Sequence, residues 1–232
     1  MVLKWVRFFR YVKRSQLALL FMGTRQRIKA LEVALPALER GGKITSTWLD
    51  GEKVYSPVRK NLVRPVSLEH EVEVTEILIL LWRCRMEESE LVPERTLRGH
   101  AVVPEGGIRY SKERGTGLVF EYCTRKNFNH GGVMKSKITR YQKHLARIEA
   151  KLRRSVNVLF VIDIDRDTVR RFVFRMQPLL DVPVISSLTG EERYPFFFTD
   201  YQTFTSVPVG QALTAKIYFW HDGKEWRLTN ND

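Results

Sequence analysis

Residues 118–123 read Leu-Val-Phe-Glu-Tyr-Cys, and residues 156–162 read Val-Asn-Val-Leu-Phe-Val-Ile. The first run carries a single carboxylate, Glu121, near the end of an otherwise apolar strand. The second is apolar almost throughout and bounded by polar residues, the pattern of a central strand covered on both sides. Between them, residues 133–154 predict a helix that is basic on its open face. Strands and helices in this alternation predict an α/β sheet with helices packed on it.

Working outward, residues 67–86 predict a mostly buried helix. Ser67 caps it, Glu69, Glu71 and Glu73 crowd its favourable N-terminal end, and Leu68, Val72, Leu78 and Leu81 supply a broad apolar face. Further strands are expected around Thr96–Arg98, Ala101–Val103 and Ile108–Tyr110, with Gly106-Gly107 and Gly115–Gly117 as turns. Downstream, residues 165–176 predict a helix, 194–199 a strand, and 217–228 a strand pair around Asp222-Gly223.

The N-terminal quarter has a different order. Residues 15–20 predict a short helix with Ser15 as N-cap, and Gly23 a turn. From Thr24, Ile28, Leu31, Leu35 and Leu38 share one helix face, and Gly41-Gly42 ends that helix. Pro36 inside the pattern is expected to kink or split it. Residues 43–49 and 53–58 then predict strands joined by Asp50-Gly51, a strong hairpin signal. Helix, turn, helix, hairpin is a winged-helix order. In such a module Arg25, Gln26, Arg27 and Lys29 face the major groove, and Lys53 on the wing meets the neighbouring backbone. Residues 61–67 read as a linker, so the expected domains are residues 1–62, DNA-binding, and 67–232, α/β.

The chain has 232 residues, 44% of them hydrophobic, which excludes disorder as the whole answer. Two cysteines, Cys84 and Cys123, are too few for a disulfide framework or a cysteine zinc site, and reduced thiols in a cytoplasm are expected. The apolar runs at residues 17–22, 77–82 and 158–162 are too short for an export signal or a bilayer span, so no membrane partner is expected. The net charge of +13 is unevenly spread. Residues 1–60 carry a balance of +9 and residues 122–155 another +9, whereas 61–121 sum to −3 and 156–232 to −2. Cations in blocks predict a polyanion-binding surface, with double-stranded DNA as the first partner to test. Arg125, Lys126, Lys135 and Arg140 supply the second block's contacts.

Glu105 follows one expected strand, and Glu121 lies near the end of the next. Carboxylates on adjacent strands can converge on one hard cation, and Mg²⁺ held by few carboxylates plus water and phosphate oxygens is the usual apparatus of phosphodiester cleavage. No Gly-rich phosphate loop with lysine, dinucleotide fingerprint or Ser/His/Asp arrangement is found, so ATPase, dehydrogenase and hydrolase readings lack support. His130 and His221 read as turn residues, and Asp163, Asp165 and Asp167 as structural.

The arrangement resembles the PD-(D/E)XK nuclease core, an αβββαβ order with acids on two adjacent strands and often a third on the first helix. That resemblance implies Glu105 and Glu121 as catalytic acids and metal ligands, with Glu69 or Glu71 as the first-helix acid. Cys123 stands where the family has its lysine, and Lys137 on the next helix is the replacement, ahead of Lys126 and Lys135. Several stretches together look like the replication-relaxation family of plasmids and mobile elements, from about Arg14 to Leu228. They are Leu68-Glu69-His70-Glu71-Val72, Pro93-Glu94-Arg95-Thr96-Leu97-Arg98, Val103-Pro104-Glu105-Gly106, Phe120-Glu121-Tyr122, Lys137 with Tyr141, and Trp220-His221-Asp222-Gly223-Lys224-Glu225-Trp226. This likeness implies DNA binding in plasmid replication, relaxation or transfer. The rivals are an active Mg²⁺-dependent nuclease using Glu105, Glu121 and Lys137, and a scaffold recruiting a relaxase or replication initiator through the aromatics of residues 194–204. A homodimer meeting two half-sites accords with a winged helix, although no heptad is visible.

Overall fold

In a computed structural model of the protein, the residues described are 1–21, 25–58, 67–83, 89–93, 102–110, 116–129, 132–207, 216–219 and 225–227. They form a mixed α/β structure that divides into two compact units, Met1–Ile79 and Leu80–Asp232.

The first unit runs α1 (Val2–Phe9), β1 (Val12–Lys13), α2 (Arg14–Leu20), α3 (Arg25–Arg40), β2 (Ile44–Leu49), β3 (Glu52–Pro57) and most of α4 (Leu68–Arg83). Helix α1, not expected from the sequence, buries Val6 and Phe9 and stacks Trp5 on Phe9 with ring centroids 5.6 Å apart. Helix α2 begins one residue earlier than expected, with Lys13 as N-cap. Ser15 is no cap; its backbone N–H and hydroxyl donate to Glu52 at 2.8 and 2.9 Å. Helix α3 continues through Pro36, so the proline does not split it. The proline faces solvent, where a helix can bow outward, while Leu31 and Leu35 anchor the inner stripe.

Asp50 and Gly51 both have positive φ, 51° and 76°, as the tight hairpin turn between β2 and β3 requires. The sheet order is β1-β3-β2, all antiparallel. Val72 of α4 packs with Tyr11 and Val54. Gln16 Nε2 donates to the Val72 carbonyl and Thr75 Oγ1 to the Tyr11 carbonyl, both at 2.9 Å. Buried polar groups satisfied in this way tie α4 to the first unit, which runs through Ile79, beyond the expected domain start at residue 67.

The second unit contains β4 (Ser89–Pro93), β5 (Gly106–Tyr110), β6 (Thr116–Cys123), α5 (Arg125–Asn129), α6 (Gly132–Leu152), β7 (Ser155–Ile162) and α7 (Arg166–Leu180). It continues with β8 (Val184–Ile185), β9 (Glu192–Arg193), β10 (Phe196–Asp200), α8 (Tyr201–Ser206), β11 (Lys216–Phe219) and β12 (Glu225–Arg227). A seven-stranded sheet has the order β12-β11-β10-β7-β6-β5-β4, and β8 and β9 pair separately. Strands β4, β5 and β6 form an antiparallel meander, β6, β7 and β10 run parallel, and β11 and β12 return antiparallel. The continuous apolar run of β7 sits mid-sheet, with Val156 and Val158 to Ile162 all 0% exposed.

The strands expected at 96–98 and at Ala101 fall outside the described residues, and Val102 and Val103 lie in no strand; β4 forms upstream instead. His130, Cys84 and the 220–224 turn with His221 also lie outside them. The Gly106-Gly107 pair is not a turn but the start of β5, opposite Phe120 and Val119. A Cβ on Gly107 would stand 2.5 Å from the Leu118 carbonyl oxygen and 3.1 Å from Val119 Cα, both backbone atoms of the neighbouring strand. Gly107→Ala should therefore cost about 3 kcal/mol, the upper range for overpacking a fixed backbone. A urea midpoint matching wild type would show that the two strands part freely.

Candidate functional site

Strand alternation places Val119, Glu121 and Cys123 on one face of the sheet, and Val119 and Cys123 join the core beneath α6 and α7. Helix α6 presents Lys137 and Tyr141 one turn apart, the i, i+4 spacing that stacks side chains on one helix face. Both meet Glu121: the Tyr141 hydroxyl donates to Oε1 at 2.7 Å, and Lys137 Nζ makes a close ion pair with Oε2. Glu105 sits just ahead of β5, and its backbone N–H donates to the Phe120 carbonyl at 3.1 Å. Glu105, Glu121 and Lys137 are thus brought to one place, where the charge of Glu105 acts on both of the others.

Glu121 is 2% exposed. Burial pushes its carboxyl above the usual carboxylate range, and the Lys137 ammonium works against that shift. Burial also opposes charge on Lys137, but the adjoining Glu121 carboxylate outweighs it and raises the pKa of the ammonium. Tyr141 is pushed well up, by burial first and by Glu121 second. The Cys123 thiol is driven to about 11 by burial, which makes it an inert core group rather than a nucleophile.

A Mg²⁺ ion prefers an octahedral shell that keeps several waters around one or two ionised carboxylates. Both Glu121 oxygens are already engaged, one by Tyr141 and the other by Lys137, and the carboxylate is buried, so a cation would reach it only where the Lys137 ammonium moved aside. In this arrangement the lysine ammonium supplies the positive charge beside the acid. Among the described residues, no three His, Cys, Asp or Glu side chains gather as a metal-binding group. Glu69 and Glu71 lie in the first turn of α4, within the first unit.

The expected nucleic-acid contacts divide into three sets. Arg25, Gln26 and Arg27 form the first turn of α3, which holds no acid, and their side chains are outside the described ones; Lys29 is exposed. Lys53 is committed within the fold, pairing with Glu39 at 3.3 Å. Glu39 also accepts from the Ser46 hydroxyl, and these partners, Ser46 foremost, hold its carboxyl below the usual range. The third set is open: Arg125 and Lys126 on α5 and Lys135 and Arg140 on α6 are all exposed. Lys143 and Arg147, which continue the Arg140 stripe at three- and four-residue steps, are exposed as well.

The one acid of that basic segment, Glu149, is 1% exposed and turned inward. Its carboxylate accepts from the N–H groups of Val156 and Ser187 at 2.9 and 3.0 Å, from the Ser186 hydroxyl, and from Arg193 at 2.6 Å. Arg193 also donates to Asn157 Oδ1 at 2.6 Å. This hub went unseen in the sequence because its partners Ser187 and Arg193 lie 38 and 44 residues away from Glu149. Of the aromatics offered as a docking surface, Phe196, Phe198 and Phe204 are core, 3%, 0% and 0% exposed, while Tyr194, Phe197 and Tyr201 are half-buried. Among the described residues no helix is long and apolar enough to cross a membrane.

No family model matches the chain, and no curated protein matches it significantly.

Proposed function

We propose that the protein binds duplex DNA mainly through phosphate contacts, with a winged-helix first unit and a nuclease-like second unit whose carboxylate is held closed by Lys137. The observation that carries this reading is the segregation of charge on α5 and α6: exposed arginines and lysines outside, the single acid inside. The order α1-β1-α2-α3-β2-β3, with β1 paired to β3, is the order expected of a winged helix and supports the first half. A meander followed by a helix and a parallel strand beside its last member supports the second. By resemblance, the role is replication, relaxation or transfer of a plasmid or other mobile element, with a relaxase or replication protein as further partner and a homodimer as the assembly.

The test is the salt dependence of duplex binding. Log K against log[salt] should fall with a slope near −0.9 for each phosphate neutralised, and Arg25→Ala with Arg27→Ala should weaken binding. Salt-insensitive binding, or none to any duplex, sinks the reading. The convergence of Glu105, Glu121 and Lys137 keeps the Mg²⁺-dependent nuclease as the second reading. Nicking of supercoiled DNA in Mg²⁺ or Mn²⁺ by wild type but not by Glu121→Gln would establish it. The closed site predicts no nicking and unchanged binding by that variant.

A further inference from the structure

The stretch from 156 to 232 sums to −2, so its charge alone suggests no basic surface there. The fold separates those charges. Asp200 is buried, Asp165 caps α7 through the Thr168 N–H and hydroxyl at 2.9 and 2.7 Å, Asp181 stands at the far end of that helix, and Glu191 stands before β9 and Glu192 in it. Helix α7 itself holds Arg166, Arg170, Arg171 and Arg175 against the single acid Asp167 in its first turn. Arg170, Arg171 and Arg175 are exposed, while Val169, Phe172 and Val173 turn into the core.

Helices α6 and α7 cover the same face of the sheet. Their inner residues join one core with Val158, Phe160, Phe196 and Phe198, and Gln142 of α6 donates to the Leu179 carbonyl at the end of α7 at 2.6 Å. The outer sides of both helices therefore belong to one helix layer. Two of the α7 arginines are already oriented: Arg170 lies 5.9 Å over the ring of exposed Phe174, and Arg171 donates to Thr168 Oγ1 at 3.0 Å. Planar guanidinium forks suit phosphate oxygens, and a side chain held in place loses less entropy on contact.

We propose that α7 is part of the DNA-binding surface, with Arg170 and Arg171 neutralising backbone phosphates beside the Arg140, Lys143 and Arg147 stripe of α6. This rests on the duplex-binding reading above and adds to it a helix that the charge count hides. The neighbouring stripe runs about 10 Å along α6 at 1.5 Å per residue, enough to follow several phosphates.

The experiment uses the full chain and a duplex of about one to three helical turns, each about 34 Å, titrated by fluorescence anisotropy over a salt series. R170Q/R171Q is compared with R109Q, which removes a charge from a partly exposed position on β5, outside both basic blocks. The slope of log K against log[salt] should become shallower by about 1.8 in R170Q/R171Q, two phosphates' worth, and stay at the wild-type value in R109Q. A wild-type slope in R170Q/R171Q overturns the α7 surface and leaves DNA binding standing. An equal loss per charge in R109Q would mean net charge alone and also overturn it. Failure of the wild type to bind any duplex removes the parent reading together with this one.

Discussion

Lys137→Met should destabilise the protein by about 3 kcal/mol at pH 8, and the loss should shrink towards zero as pH falls to about 4. The pair is asymmetric: the Glu121 side chain is 3% exposed and Lys137 24%. Without the ammonium, the sealed carboxylate keeps, among the described residues, the Tyr141 hydroxyl and no counter-charge in contact. It meets that by holding its proton to higher pH than in the unfolded chain, where a glutamate titrates near ~4.3. A folded-state pKa raised in this way leaves stability intact below the unfolded value and drains it as pH rises through the folded one. Wild type and variant should thus converge in acid and diverge above it.

Glu121→Gln should cost less, because glutamine still accepts from Tyr141 and a partly exposed lysine can turn its head to water. Adding Glu121→Gln to Lys137→Met should restore most of the loss, a coupling of about 2 kcal/mol or more in a double-mutant cycle. Urea titrations at pH 4 and pH 8 decide it. Equal stability of Lys137→Met and wild type at pH 8 would mean that the ammonium does not balance Glu121.

The second large effect is expected at Arg193. Its removal leaves Glu149, 1% exposed, without its cation, and stranding a buried charge in this way costs about 3–5 kcal/mol. Arg193→Ala should lower the urea midpoint accordingly and expose the 184–193 segment to protease, since Ser186 and Ser187 are held by the same carboxylate. Arg193→Lys should lie between, because one ammonium does not reproduce a fork reaching both Glu149 and Asn157 at 2.6 Å. Wild-type midpoint and protease resistance in Arg193→Ala would remove the hub from the list of stabilising features.

The elements that were legible in the chain are those whose signal is local. The apolar spacing of 133–154, the unbroken run of 156–162 and the Asp50-Gly51 turn recur as α6, β7 and the β2–β3 hairpin. Misreadings arose where a distant partner decided the outcome. Gly106-Gly107 resembles a turn, yet the backbone of β6 presses so close that only glycine fits the strand. Ser15 looks like a cap, yet Glu52, 37 residues on, takes its hydrogen bonds.

The site divides in the same way. Glu105 and Glu121 could be paired because carboxylates on adjacent strands are readable types at readable places, and Lys137 joined them only through the likeness to the nuclease core. That Tyr141 and Lys137 occupy both oxygens of Glu121, that Lys53 is spent on Glu39, and that Glu149 turns inward depended on packing. Periodicity and turns are set by neighbours within about four residues, so the sequence by itself determined α6, β7, the β2–β3 turn and the excess of positive charge. Which carboxylates are sealed, which cations are neutralised and which remain open to a phosphate follow from desolvation and from partners tens of residues away, and those only the tertiary structure decided.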